Sequence, residues 1–261
     1  KEVDVEKYLQ QVLTSLGDPV KVSLIRVAND AQGRSVVCGF IPGTSKDTVI
    51  FINHHDVVSA ESYGLFRDDA FSPDRLLQDL IEFETDETVV SELKSGDWLV
   101  GRGACDMKGG LAAQLAVFEA YAAHRGKASL LFVSLPDEES YSAGMRAAIP
   151  VLKDFRETYG LQYRILINSE PNPKKGDTLC VYTGSVGKLL PVVLVQGKLA
   201  HVGQYQQGIN PIGVLARMIA DTEGDMTLAD RSGDAVTPPP AWMFARDRKA
   251  HYDVSLPERA A

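Results

Sequence analysis

The sequence predicts an α/β protein that begins with a three-layer domain built on a mostly parallel sheet. Strand-like and helix-like segments alternate through residues 20–170, which is typical of a sheet covered by helices on both faces. Residues 48–54 and 128–135 are near-continuous apolar runs, as expected of strands buried on both faces of such a sheet. A smaller α+β unit is expected to follow, because the pattern changes after Gly187.

The individual elements follow from apolar spacing and from the residues that end helices. Apolar residues at helical spacing predict a helix over residues 4–16, and Gly17 ends it. Residues 59–97 are polar and acidic, so we expect a long surface segment with a short helix near residues 73–83. The other strands expected in the first domain are 22–27, 35–40, 98–101 and 162–168, and its other helices are 110–124 and 142–159.

The second unit is predicted to begin at a boundary near residues 183–187, which divides the chain into residues 1–186 and 187–261. One or two strands and one helix make a small core, so we expect this unit to be incomplete. Its expected elements are a strand over 188–196, a polar loop over 197–208 and a helix over 211–221.

The composition is that of an ordinary soluble globular protein, with 261 residues, 44% apolar and 24% charged. The net charge of −8 argues against nucleic acid or an anionic membrane surface as the partner. No apolar run in the sequence is long enough to span a bilayer. The three cysteines (Cys38, Cys105 and Cys180) lack metal-type spacing, which predicts reduced thiols in a cytoplasmic protein.

Residues 101–110 are rich in glycine and surround one acid, Asp106. Two glycines precede this acid and two follow it, so the backbone can turn sharply and approach another group closely. An apolar run with helical spacing comes next, which places the carboxylate in a loop before a helix. Such a carboxylate either bridges two cations or caps the helix, and the local sequence alone favours the cap.

Further ligand-type residues follow other predicted strands. His54 and Asp56 end one strand, Glu138 and Glu139 follow the next, and Glu170 follows a third. In open α/β sheets, ligands bind beyond the carboxyl ends of strands, so we expect these side chains to lie together. Taken singly, each has a plainer interpretation as a satisfied polar strand end or a solvated acidic turn.

Taken together, these residue types predict a metal centre. A neutral imidazole binds a divalent ion through one nitrogen, and a carboxylate on the other nitrogen fixes its orientation, so we interpret His54 as a ligand and Asp56 as its support. Of Glu138 and Glu139, one can ligate a metal while the other accepts a proton from water. One histidine with several carboxylates suits Zn²⁺, with Mn²⁺ or Co²⁺ as alternatives. Two such ions would require Asp106 as the bridge between them.

Four segments resemble those of the co-catalytic di-zinc metallopeptidases and deacylases. That family includes glutamate carboxypeptidase, aminoacylase, acetylornithine deacetylase and succinyl-diaminopimelate desuccinylase. Any one segment is weak evidence, whereas four in the same order are strong evidence. The resemblance covers most of residues 1–220 and implies a catalytic domain over 1–186 and the start of a lid domain over 187–261. The segments are His54-His55-Asp56, residues 103–110 (Gly-Ala-Cys-Asp-Met-Lys-Gly-Gly), Asp137-Glu138-Glu139 and Ser169-Glu170-Pro171.

The resemblance also implies a role for each of these residues. Asp56 would support His54, and Glu138 would act as the general base toward a water that bridges the two metals. The implied metal ligands are His54, Asp106 and Glu170 for one ion, and Asp106 and Glu139 for the other.

Two more implied site residues belong to the second unit. Residues 197–201 resemble the lid motif of the family, whose histidine, here His201, stabilises the oxyanion, often from the partner subunit of a homodimer. Asn210 resembles a lid position near the substrate carboxylate. The plainer interpretation of His201 is an exposed loop histidine.

A closer resemblance is to the arginine-utilisation RocB-type branch of the family. It rests on residues 53–58 (Asn-His-His-Asp-Val-Val), on an insertion over residues 63–71, and on residues 236–240 (Val-Thr-Pro-Pro-Pro). The family takes its last metal ligand, a histidine, from a segment after the lid, and neither His124 nor His251 matches that motif. We therefore expect the sequence to be a fragment that ends within the lid and binds the second metal poorly.

The sequence thus predicts a metal-dependent hydrolase of amide bonds that acts on a small peptide or an N-acyl amino acid. Two alternatives stay open: a catalytically incomplete metal-binding or interaction protein of the same fold, and a hydrolase with Cys105 as its nucleophile. The glycines at 101 and 103 lack the remaining residues of the nucleotide-binding loops, which argues against that class. Arg102 and Lys108 are interpreted as solvated loop charges.

Overall fold

The computed structural model describes residues 2–172, 178, 180–183 and 192–228. The chain divides into two compact units, residues 1–171 and residues 172–261. Most of the boundary expected at 183–187 lies outside the described residues. The expected metal ligands, together with Asp56 and Glu138, belong to the first unit, whereas His201 and Asn210 belong to the second.

The first unit contains five α-helices and five strands in its described part. The helices are α1 (Glu2–Ser15), α2 (Pro73–Phe83), α3 (Glu87–Lys94), α4 (Gly110–Ala123) and α5 (Ala143–Tyr159). The strands are β1 (Lys21–Arg26), β2 (Ser35–Ile41), β3 (Asp47–His54), β4 (Ser129–Leu135) and β5 (Gln162–Asn168).

These strands form one mixed sheet in the order β1-β2-β4-β3-β5. The pairs β1–β2 and β2–β4 are antiparallel, whereas β3 pairs in parallel with both β4 and β5. Of the five strands, β2 alone therefore runs against the others. His54 lies opposite Leu135, and Ile52 lies opposite Asn168. The carboxyl ends of β3, β4 and β5 consequently meet at one edge, which is the edge expected to carry the site.

Helices cover both faces of the sheet, which confirms the three-layer prediction. On one face, α1 and α4 pack against the sheet, and Phe118 of α4 lies 5.7 Å from Phe132 of β4 between ring centres. On the other face, α5 covers the apolar side chains of β2, β3 and β4. The apolar runs of β2 and β4 are buried along their whole length, since both faces are covered.

The segment between β3 and α4 is richer in structure than its polar sequence predicts. Helix α2 has the expected bounds, but α3 and a 3₁₀ helix at Glu61–Asp69 were not predicted. The signal for α3 was its N-cap, because the Asp86 carboxylate accepts hydrogen bonds from the backbone N–H groups of Thr88 and Val89. An eight-residue helix shows too little periodicity to be found otherwise.

The prediction of a strand at residues 98–101 is wrong. Residues 98–100 have no regular secondary structure, and the side chains of Trp98 and Leu99 are 56% and 73% exposed. Instead of joining the sheet, this segment is tied to the preceding loop, where the backbone N–H of Arg102 donates to the carbonyl of Ala70 at 2.8 Å. A short apolar run forms a strand only when it can hydrogen-bond to a neighbouring strand.

The second unit, in its described part, contains helix α6 (Pro211–Thr222) and a 3₁₀ helix at Val202–Gln207. The expected helix is therefore confirmed. Residues 188–191 of the expected strand lie outside the described residues, and residues 192–196 form no strand, with Val192 95% exposed. Among the described residues, no helix has both the length and the hydrophobicity needed to cross a membrane.

Candidate metal centre

Three side chains from three separate segments converge at the carboxyl edge of the sheet. His54 ends β3, Asp106 lies in the glycine-rich loop before α4, and Glu170 follows β5. His54 Nε2 lies 3.0 Å from Asp106 Oδ1 and 3.5 Å from Glu170 Oε1. One ligand atom from each residue lies within 4.8 Å of the other two, so the three atoms can reach a common ion. We call this group the ligand triangle.

The orientation of the His54 ring is set from behind by Asp56. The ring is 2% exposed, and its Nδ1 lies 3.2 Å from the carbonyl oxygen of Asp56 and 3.4 Å from Asp56 Oδ1. Nε2 therefore faces the carboxylates of the triangle. Support of one ring nitrogen by a carboxylate or a carbonyl is the usual arrangement for a histidine that ligates a metal through the other.

The triangle has an excess of negative charge. Burial lowers the pKa of His54, but hydrogen bonds to Asp56 and Glu170 outweigh burial and raise the pKa to about 11. The imidazole is therefore protonated, and its positive charge neutralises the carboxylates of Asp106 and Glu170 as a bound cation would. A metal ligand must be neutral imidazole, so a bound metal would displace that proton. One imidazole and two carboxylates form a donor set that fits Zn²⁺.

Asp56 also fixes the turn that carries the two adjacent glutamates. Its Oδ1 accepts a hydrogen bond from the backbone N–H of Glu138 at 3.1 Å, and its Oδ2 accepts one from Glu139 at 3.0 Å. Burial raises the pKa of Asp56, but hydrogen bonds from His54 and from these two backbone groups lower it below its ordinary value. One buried carboxylate therefore aligns His54 with the turn after β4.

Glu138 and Glu139 have different surroundings, as expected for adjacent residues. Glu138 lines a cleft of about 200 Å³ together with His54 and Glu170. Glu139 does not belong to the ligand triangle. Burial, followed by the nearby charges of Asp106 and Glu138, raises the pKa of Glu139 to about 7. The carboxylates of Glu139, Asp106 and Glu138 therefore repel one another, and a second cation bound beside Glu139 would reduce this repulsion.

Buried ion pairs that no sequence motif indicates hold the start of this turn. Arg34 lies before β2, and its Nη1 donates to Asp137 Oδ1 at 2.9 Å and to Glu2 at 3.2 Å. Asp137 Oδ2 accepts from the backbone N–H of Ala143 at the start of α5. Arg34 and Asp137 are 103 residues apart, so no local motif connects them. The position of Asp137 next to Glu138 was the one available signal.

The loop cations Arg102 and Lys108 and the histidine His55 all contact neighbouring protein groups. Lys108 Nζ donates to the backbone carbonyl of His55 at 3.3 Å, and Arg102 donates to Ser62 and lies 4.7 Å above the ring of Tyr63. Both side chains are half-buried, so each charge is only partly solvated, because the glycine loop folds back onto its neighbours. The His55 ring points away from the triangle, toward Ser134 and Glu6, which lie 2.9 Å and 3.6 Å away.

In the second unit, His201 and Asn210 both begin helices. His201 Nδ1 accepts from the backbone N–H of Gly203 at 3.1 Å, and Asn210 Oδ1 accepts from Ile212 at 3.0 Å. Both side chains are exposed, and both serve as local helix caps. Of the two histidines considered for a last ligand, His124 is exposed at the end of α4 and His251 lies outside the described residues.

Comparison with known proteins identifies similar sequences. The profile of the Peptidase family M20/M25/M40 matches residues 50–258. Protein RocB of Bacillus subtilis is 31% identical over 258 residues, which are 95% of this chain and 46% of that protein. A succinyl-diaminopimelate desuccinylase of Buchnera aphidicola is 30% identical over 171 residues, 63% of this chain and 39% of that protein. The chain thus spans less than half the length of these relatives.

The structure of human carnosine dipeptidase 1 is also similar, with 20% sequence identity and a TM-score of 0.44. The match covers 64% of this chain and 32% of that one.

Proposed function

Because this chain belongs to the Peptidase family M20/M25/M40, we propose that the protein is a metal-dependent hydrolase of amide bonds, either a peptidase or an N-acyl amino acid deacylase. The observation that carries the proposal is the ligand triangle, which brings His54, Asp106 and Glu170 together from distant parts of the chain. Glu138 lines the same cleft, so an acid–base group lies beside the candidate metal position.

His54, Asp106 and Glu170 would hold one ion, and Asp106 and Glu139 would contribute to a second. The donor set of one imidazole and several carboxylates favours Zn²⁺, with Mn²⁺ or Co²⁺ as alternatives. When bound, the metal supplies a Lewis acid that polarises the scissile carbonyl and makes water a better nucleophile.

The protein's own part in the reaction is assigned to Glu138 and Asp56. Glu138 removes a proton from the attacking water and then delivers it to the leaving amine, while the water oxygen adds to the carbonyl carbon and the C–N bond breaks. Asp56 holds the turn of Glu138 through the backbone N–H of that residue, which keeps the base at the edge of the cleft. The order of proton transfers leaves Glu138 ionised at the end of each turnover.

The residues of the second unit complete the proposal. His201 would donate a hydrogen bond to the developing oxyanion, from a partner subunit if the protein is a homodimer, and Asn210 would lie near a substrate carboxylate. The support for both is the resemblance of residues 197–211 to the lid of the family. The substrate would be a small peptide or N-acyl amino acid in the cytoplasm, and the RocB-type resemblance favours a role in arginine utilisation.

The test is a comparison of metal content and hydrolysis in the wild type and in Glu138→Gln. The protein is loaded with Zn²⁺, Mn²⁺ or Co²⁺, its metal is measured by mass spectrometry, and release of amine from dipeptides and N-acyl amino acids is followed. We expect Glu138→Gln to lose about 10²–10⁴-fold in rate while its metal content stays near that of the wild type, because the amide cannot accept the proton. Glu119→Gln, an exposed site on α4, is the control.

Retained hydrolysis in Glu138→Gln would remove this residue from its role. Metal binding by the wild type without hydrolysis of any tested amide would favour the catalytically incomplete metal-binding protein.

A further inference from the structure

The geometry points to Gln114 as a positioning residue that holds the ends of β3 and β5 at the separation the ligand triangle needs. Gln114 lies on α4, is 3% exposed and is not itself a ligand. This inference rests on the proposed metal centre and adds a residue that the sequence motifs do not contain. Its role follows from the four polar groups that surround its side-chain amide, three oxygens near Nε2 and one amide donor near Oε1.

The side-chain amide of Gln114 bridges the two strands just before their ligands. Its Nε2 lies 3.1 Å from the carbonyl oxygen of Ile52 and 3.1 Å from that of Ile167. Ile52 and Asn168 form the last registered pair of the β3–β5 ladder, so the amide closes the ladder where the two strands separate. Gln114 therefore supplies donors to backbone oxygens at the point where strand pairing stops.

Two side chains extend this contact toward the ligands themselves. Gln114 Nε2 lies 3.0 Å from Ser169 Oγ, and Asn53 Nδ2 donates to Gln114 Oε1 at 2.9 Å. Ser169 and Asn53 immediately precede Glu170 and His54 in the sequence. A shift of the glutamine thus changes the backbone directly next to two members of the triangle.

The third ligand, Asp106, lies in the loop that leads directly into α4, the helix that contains Gln114. Asp106 lies four residues before Gly110, and Gly110 and Gln114 are one helical turn apart on the same face of α4. A Cβ at Gly110 would lie 1.9 Å from the carbonyl oxygen of Ser169, so the start of α4 is seated directly on the backbone next to Glu170. Gln114 is therefore connected to all three ligand-bearing segments.

Glutamine suits this position because it has donors and an acceptor in one group. An apolar side chain of similar length, such as methionine, would fill the space but would leave the carbonyls of Ile52 and Ile167 without this donor. Loss of these hydrogen bonds removes a link between the ends of β3 and β5, so the two strand ends would be freer to move apart. The expected consequence is a change in the distance between His54 and Glu170, which are now 3.5 Å apart at their closest ligand atoms.

The test compares metal affinity in the wild type, Gln114→Met and the control Gln11→Met, an exposed position on α1. Metal-free protein competes with a chromophoric chelator for Zn²⁺, and hydrogen exchange is measured at the backbone of residues 167–170. Loss of a group that orients metal ligands reduces metal affinity by about 10–100-fold. We expect that reduction in Gln114→Met, together with faster exchange at residues 167–170, and no change in Gln11→Met.

Wild-type affinity in folded Gln114→Met, with unchanged exchange, would overturn the inference. A lower melting temperature with unchanged affinity would overturn it too, because Gln114 would then be a structural residue only. If Gln114→Met does not fold, Ser169→Ala removes one of the three oxygens that share the two N–H donors of the amide, and unchanged Zn²⁺ affinity in that variant counts against the inference. Failure of the wild type to bind Zn²⁺ would instead refute the proposed metal centre itself.

Discussion

Replacing Gly110 with alanine tests whether the close approach of α4 to Ser169 sets the ligand triangle. Gly110 begins α4, and alanine normally favours a helix over glycine by about 1 kcal/mol. Here the new Cβ would lie 1.9 Å from the carbonyl oxygen of Ser169 and 2.9 Å from its carbonyl carbon. Both atoms belong to the backbone, so no side-chain rotation relieves the clash.

The size of the effect follows from this distance. An ordinary van der Waals contact begins near 3.4 Å, so α4 and the residue before Glu170 must separate by about 1.5 Å. Such overpacking costs about 1–3 kcal/mol, which exceeds or offsets the gain in helix propensity. We therefore expect a net loss of up to about 2 kcal/mol in the free energy of unfolding. A displacement of this size next to a ligand is expected to reduce any hydrolytic rate by about 10²-fold.

The assays are urea unfolding followed by circular dichroism, Zn²⁺ competition, and hydrolysis of the best substrate found for the wild type. Gly213→Ala is the matched control, since Gly213 lies in helix α6 and a Cβ there would meet nothing within 4 Å. That variant should be neutral or stabilised by up to about 1 kcal/mol, with wild-type Zn²⁺ affinity. If Gly110→Ala is as stable as the wild type and binds Zn²⁺ equally well, the reasoning from the close approach is refuted.

Two further predictions concern the core and the buried ion pairs. Phe118→Ala should lower the free energy of unfolding by about 3–5 kcal/mol, because this ring is fully buried, whereas exposed Val117→Ala on the same helix should change it by less than about 0.5 kcal/mol. Arg34→Met should cost about 3–5 kcal/mol at pH 7, since it leaves buried carboxylates unpaired. Hydrogen bonds from Arg34 lower the pKa of Asp30 below 3.8, so this stabilisation is present above pH 3.8 and is lost as the pH falls through the folded pKa. Urea unfolding of Arg34→Met and the wild type at pH 7 and pH 3 should therefore give a smaller difference at the lower pH.

Local signals predicted much of the secondary structure. The helix near residues 73–83 and the strand at residues 162–168 have the expected bounds, because a proline begins the helix and an apolar β-rich run forms the strand. The strand expected at 98–101 failed because three apolar or β-favouring residues do not bring a partner strand with them. The residues of β2 likewise do not indicate that it runs antiparallel to its neighbours. A strand buried on both faces is apolar throughout, whether its neighbours are parallel or antiparallel.

The amino-acid sequence by itself determined which residues could form the metal centre, because ligands such as His54 and Asp106 lie in short motifs at the ends of predicted elements. Their distances, and the groups that hold them, were decided by the tertiary structure. Arg34 and Gln114 reach partners 103 and 55 residues away, and neither belongs to a motif. The physical reason is that hydrogen bonds and ion pairs depend on separation in space, which the sheet order β1-β2-β4-β3-β5 sets and the linear order of residues does not.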